Sequence, residues 1–171
     1  MILTGKEIEE NIRKGTITVS PFNPESINPN SINYHLEDSY IELSTDETID
    51  SRSPDLSYKR KKIPQEGLLL QPGRLYLCNT REVIGSKHFV TSLIGRSSIG
   101  RLGIFLQVSA DLGHQDEIHQ WTLEIKCVKP VVIYPFMTIG QVTFWLPQGN
   151  HYPKQGFYKH FDLPTTSKGV L

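Results

Sequence analysis

From Ile17 onward the chain is a succession of short apolar or alternating runs, each closed by proline, glycine, asparagine, aspartate or serine. "TITV", "SINYHL", "SYIEL", "GLLL", "RLYLCNT", "HFVTSLIG", "IFLQVSA", "WTLEIKCV", "VVIYP" and "TIGQVTFWL" follow one another with no stretch of helical period between them. Runs of that length with period-two character are strands, and turn residues at such short spacing predict a β-barrel or β-sandwich. One helix precedes them. Thr4 is placed to cap it, Glu7 is its capping-box partner, Leu3 and Ile8 form a hydrophobic staple, and Gly15 stops it. Ile8 and Ile12 give it one apolar face, suited to covering the edge of a β core.

A chain of 171 residues is long enough for one substantial core and too short for two, so a single domain over residues 1–171 is expected. The polar stretch "TDETIDSRSPDLSYKRKKIPQE" at 45–66 has no period and reads as a long surface excursion, its "KRKK" as a solvated loop. Past "LPQGNHYPKQG" the chain leaves the core, so residues 147–171 read as a tail or lid.

The charges balance at 18 basic and 18 acidic residues, which argues against nucleic acid or an anionic membrane as partner. No apolar run has the length of a membrane span, and the start is charged too early for a secretory signal, so a cytoplasmic location is expected. Cys78 and Cys127, both in apolar strand-like runs, suit reduced core thiols.

Chemistry concentrates in two places. "GRSSIGRLG" at 95–103 sets Arg96, Ser97, Ser98 and Arg101 on a short loop-like segment between glycines. Guanidinium forks with hydroxyls and freed amides suit phosphate oxygens, although a surface turn would have the same wording. In "WTLEI", Thr122 and Glu124 share a strand face opposite Trp121, Leu123 and Ile125. If that face is solvent, Glu124 is an ordinary carboxylate. If it is covered, desolvation and a nearby guanidinium act against one another on its proton affinity, as in a proton shuttle. His114, Asp116, Glu117 and His119 are metal-ligating types, but strand alternation splits them between two faces, so no metal site from protein side chains is expected.

The order and spacing of "MILTGKEIEENIRKGTITVSPFNPESINPNSINYHL", "GRSSIGRLGI", "TLEI", "YPFMTIGQVTFW" and "PTTSK", with 23 residues from Arg101 to Glu124, resemble the dCTP deaminase branch of the dUTPase superfamily. The resemblance implies a mainly β, distorted β-barrel of dUTPase-like, jelly-roll type with a short N-terminal helix. It implies a homotrimer with active sites between subunits, acting on a pyrimidine nucleotide of the dCTP or dUTP kind, with Mg²⁺ on the phosphates. By that match Glu124 activates water at C4 of cytosine, Arg101 orients it, Ser97 steadies the water and Arg96 binds phosphate. Ser98, Thr122, Leu123, Tyr152 and Tyr158 join the substrate-binding set, with the backbone of 122–124 reading the base edge. The zinc-deaminase wording is absent, so deamination without a metal at the base is the expectation.

Several positions depart from the family pattern. His114 stands where the family's Ile-Asp-Pro-Gly turn has the aspartate that meets the deoxyribose 3′-hydroxyl. Phe157 and Phe161 stand at a tail lysine and glutamine, Asn33 at an aspartate, and Phe136 at a turn glycine. The departures leave other readings beside dCTP deamination: dUTP diphosphatase alone or combined with it, hydrolysis of a cytosine nucleotide's glycosidic bond, or nucleotide binding without turnover.

Overall fold

The computed structural model describes residues 1–43, 48–52, 58–106, 110–150 and 163–167. Helix α1 (Gly5–Arg13) starts where its sequence punctuation places it: the Thr4 side chain accepts from the Glu7 amide at 3.4 Å. The reciprocal half of the capping box is replaced, since Glu7 Oε1 instead accepts from Asn11 Nδ2 at 2.9 Å. Gly15, at φ 74°, turns the chain out of the helix.

The strands follow as β1 (Ile17–Ser20), β2 (Ile27–Asn28), β3 (Ser31–His35), β4 (Ser39–Leu43), β5 (Lys61–Lys62), β6 (Leu68–Leu70) and β7 (Leu75–Ser86). Then come β8 (Val90–Gly95), helical turn α2 (Ser97–Gly100), β9 (Ile104–Leu106), β10 (Leu112–Gly113), β11 (Ile118–Cys127), β12 (Val131–Ile133) and β13 (Thr138–Trp145). One sheet runs β5-β4-β7-β11-β9, with β1 also on β7; a second runs β10-β8-β13-β3-β2; β12 and β6 pair apart. The inward faces of both large sheets meet in one core that includes Tyr34, Leu93, Val142 and Phe144 from one and Tyr76, Cys78, Leu123 and Ile125 from the other.

A buried carboxylate spans the two sheets. Glu82 of β7, 4% exposed, accepts from the His35 amide of β3 at 2.9 Å and meets His35 Nδ1 at 2.6 Å. Around it β7 bulges: Gln120 pairs with Val83 and Thr122 with Asn79, so Thr80–Glu82 face Trp121 alone. Side chains supply the missing ladder bonds. Trp121 N donates to Thr80 Oγ1 at 2.9 Å, and Gln120 Nε2 to the Thr80 and Arg81 carbonyls at 2.9 and 3.0 Å.

A second tie fixes the strand that leads to α2. Tyr34 reaches across Gly140 of β13 and donates to the Ile94 carbonyl of β8 at 3.3 Å. A Cβ on Gly140 would lie 2.1 Å from the Tyr34 hydroxyl oxygen, so only glycine admits that crossing. Phe136, where the sequence pattern expects glycine, keeps a glycine-like φ of 60°, and the Arg81 guanidinium stacks 4.7 Å from its ring centre. Asn33, at the family's aspartate position, has Oδ1 accepting from Asn28 Nδ2 at 2.9 Å.

Two expectations change. The segment read as loop-like at 95–103 contains a helical turn, "SSIG", and the strand "RLYLCNT" continues through "REVIGS" to Ser86. The excursion at 45–66 returns to the core at its end, where β5 pairs with β4 through Ser39↔Lys62 and Tyr40↔Lys61.

Gly140→Ala should cost about 1–3 kcal/mol through overpacking against Tyr34, read as a lower melting temperature; Tyr34→Phe should cost less. Burial also pushes the Cys78 thiol up to about 12. The native state then holds that proton above the ordinary thiol range, so the associated stability is full below about pH 8.5 and falls as pH rises towards the native value. Denaturant unfolding across that window should show declining stability, with a shallower decline in Cys78→Ala; an equal slope in both would refute the assignment.

Candidate active site

The turn α2 is set by one buried anchor, Ile99, 5% exposed, while Ser97, Ser98 and Arg101 face outward and Arg96 is half-buried. Arg101 N donates to the Ser97 carbonyl at 3.0 Å, which stacks the two residues on one side of the turn. Gly103, at φ 82°, then reverses the chain into β9. Val128 sits against it: a Cβ there would be 2.6 Å from Val128 Cγ2.

On β11, Leu123 and Ile125 are fully buried in the core, so Thr122 and Glu124 point to the outer side of the sheet. Glu124 is half-buried there, which removes the plainly exposed alternative. It lies directly across the ladder from Leu77, and Thr122 lies across from Asn79. The β11–β9 ladder covers Ile125↔Leu106 to Cys127↔Ile104, so the β9-facing edge at Thr122–Glu124 lies beyond the described pairing. From the tail, the Thr165 amide donates to Thr122 Oγ1 at 3.3 Å, and Pro164 beside it is buried. The tail thus touches the same face of β11 as Glu124.

Within the chain no described hydrogen bond or ion pair joins Arg101 or Arg96 to Glu124. The topology explains this. The chain runs from α2 into β9, whose first residue pairs with Cys127, three positions past Glu124 or about 10 Å along the strand.

His114 lies in a turn rather than on a strand. Glu117 Oε2 accepts from the His114 amide at 2.9 Å, and Asp116 at φ 66° donates its amide to the Ser86 carbonyl at 3.0 Å. The Trp121 ring packs on Gly113, where a Cβ would come within 2.5 Å of Trp121 Cη2. Its Nε1 donates to the Ile84 carbonyl at 2.9 Å, and His119 stacks on it at 4.3 Å. His114 and Asp116 are exposed while Glu117 and His119 are buried. A turn, rather than strand alternation, arranges His114, Asp116 and Glu117. Among the described residues no three His, Cys, Asp or Glu side chains converge as a metal cage. Tyr152 and Tyr158, with Phe157 and Phe161, lie outside the described residues.

A family model described as dCTP deaminase-like matches residues 2–146. This chain belongs to the dCTP deaminase-like family. Within it, the chain is 43% identical over 150 residues to a dCTP deaminase of Rhodopirellula baltica, covering 88% of this chain and 74% of the relative. It is 44% identical over 144 residues to a dUMP-forming dCTP deaminase of Clostridium beijerinckii, covering 84% and 82%. The crystal structure of 2′-deoxycytidine 5′-triphosphate deaminase from Agrobacterium tumefaciens superposes with a TM-score of 0.67 at 17% identity, over 85% of this chain and 48% of that one. This chain spans about half of that longer protein, and the likeness establishes the shared, mainly β fold. The family-model match itself ends at Leu146.

Sequence reasoning missed the apolar neighbours of Glu124 on the outer face. The signal was present, because "SYIEL" and "RLYLC" are apolar on both strand faces, a mark of a sheet covered on both sides.

Proposed function

We propose that this protein hydrolytically deaminates dCTP, with Glu124 as the general base and acid. The observation that carries the reading is Glu124 itself: a half-buried carboxylate on a strand whose neighbours Leu123 and Ile125 are locked in the core, in a chain that matches the family model across this segment. Water adds to C4 of the cytosine ring as Glu124 takes one of its protons and passes it to N3; the carboxylate then carries the remaining hydroxyl proton to the amino group, which departs as ammonia as C4=O forms and leaves uracil. Ser97 steadies the attacking water and tetrahedral centre, and Arg101 holds the Glu124 carboxylate. The Arg96 guanidinium meets phosphate oxygens, with Ser98 beside it. The edge of β11 at Thr122–Glu124 offers backbone groups to the base.

Among the described residues no hydrogen bond or ion pair joins Arg101 to Glu124 within one chain, which supports a site assembled between subunits of a homotrimer. Exposed Leu102, Phe105 and Val128, at 46%, 46% and 66%, lie along the α2–β9 side and suit such a contact. Mg²⁺ held by the nucleotide phosphates, where it would offset their charge, belongs to the same reading. A cytoplasmic location belongs to the same reading and is supported by two buried free thiols.

The name of the Clostridium beijerinckii relative, a dUMP-forming dCTP deaminase, favours a second reading in which the uracil nucleotide also loses pyrophosphate. His114, at the aspartate position, weighs against that second step. Equal yields of ammonia and pyrophosphate from dCTP would establish it, whereas ammonia with dUTP alone would not.

Glu124→Gln should lower ammonia release by roughly 10²–10⁴-fold while dCTP binding, measured by calorimetry, persists. Loss of binding instead of turnover would remove Glu124 from the proton-transfer role. Mixing inactive Glu124→Gln with inactive Arg101→Ala, then letting subunits exchange, should restore activity through sites that draw one residue from each parent. No recovery in demonstrably mixed oligomers would mean that both residues act from one chain.

A further inference from the structure

The outer face beside Glu124 carries a second apolar cluster, apart from the main core. Leu77 faces Glu124 on one side and Ile41 on the other, and Leu75 faces Leu43. Ile41, Leu43 and Leu77 are only 5%, 8% and 5% exposed, although the main core lies behind the opposite face of their sheet. Tyr58 packs against this cluster, together with Leu75. It lies where the charged excursion comes back, just before β5 joins β4, and the Ile63 amide fastens that return to the Asp38 carbonyl at 2.7 Å. An otherwise polar segment thus brings one aromatic ring onto the apolar cluster whose member Leu77 borders Glu124.

Residues opposed in an antiparallel ladder stand about 4.5–5.5 Å apart, so Leu77 is an immediate neighbour of Glu124. An apolar wall there bars water from that flank. It leaves the carboxylate the side towards β9 and Thr122, where the edge of β11 lies beyond the described ladder. The wall is dry only while something covers it.

We propose that Tyr58 is a positioning residue for Glu124: its ring caps the Ile41, Leu43 and Leu77 cluster and so confines the carboxylate to the side from which substrate and water arrive. This rests on the reading of Glu124 as the proton shuttle. The role belongs to the apolar ring, and it bears on turnover rather than on nucleotide affinity.

The test measures kcat and KM for dCTP deamination by ammonia release, with melting temperatures, in the full-length wild type, Tyr58→Ala, Tyr58→Gln and Tyr58→Phe. Misplacement of a reacting group by an ångström can cost up to about a hundredfold, so Tyr58→Ala should lose roughly 10- to 100-fold in kcat. Its KM should stay within about threefold, the pattern of an interaction made in the transition state. Tyr58→Gln, a polar side chain of comparable reach, should show the same loss if Tyr58→Ala does not fold, and Tyr58→Phe should restore nearly full kcat. Wild-type kcat in folded Tyr58→Ala or Tyr58→Gln overturns the inference, as does a loss confined to KM or a Tyr58→Phe as impaired as Tyr58→Ala. A wild type that releases no ammonia from dCTP overturns the Glu124 reading and this inference with it. An active wild type with unaffected Tyr58 variants overturns the inference alone.

Discussion

The Glu82 carboxylate is the joint on which the two sheets depend. A buried charge without partners costs several kcal/mol, so Glu82 is tolerated only while β3 presents both the amide and the ring of His35. That requirement fixes where β3 sits against β7. It also coincides with the bulge at Thr80–Glu82, which Trp121 and Gln120 complete from β11. The register of β11 past the bulge decides that Leu123 and Ile125 turn inward and Glu124 outward. A polar contact in the interior therefore sets the direction of Glu124.

Much of the fold was legible because its signals are local. The α1 boundaries follow from Thr4 and Gly15, and the short strands from apolar runs between turn residues. The second half of β7 was harder to see, since "REVIGS" mixes charge, glycine and serine in a way that alternation does not explain. Those residues are where the strand bulges and where Glu82 turns inward against a partner 47 positions away. A bond of such sequence separation leaves no local trace. The turn at Phe136 shows a related effect, because Arg81 stacks on a ring in a backbone conformation that favours glycine.

The candidate site was legible in kind and less so in arrangement. Arg96, Ser97, Arg101 and Glu124 stand out by residue type and spacing, since those are chemical requirements. Their mutual geometry does not follow from one chain, because α2 leads into β9, which meets β11 at the Cys127 end and not at Glu124. The apolar wall around Leu77 escaped notice for a different reason: its cover comes from a segment whose composition is polar apart from a few residues.

The bond from Tyr34 to the Ile94 carbonyl bears on binding thermodynamics. Ile94 is two residues before Arg96, and the strand that delivers it is held from across β13. The backbone entering α2 is therefore ordered when the chain folds, and an anion meeting that turn would have little main-chain entropy left to remove. The order of that turn is in part a property of β3, two strands away in the same sheet.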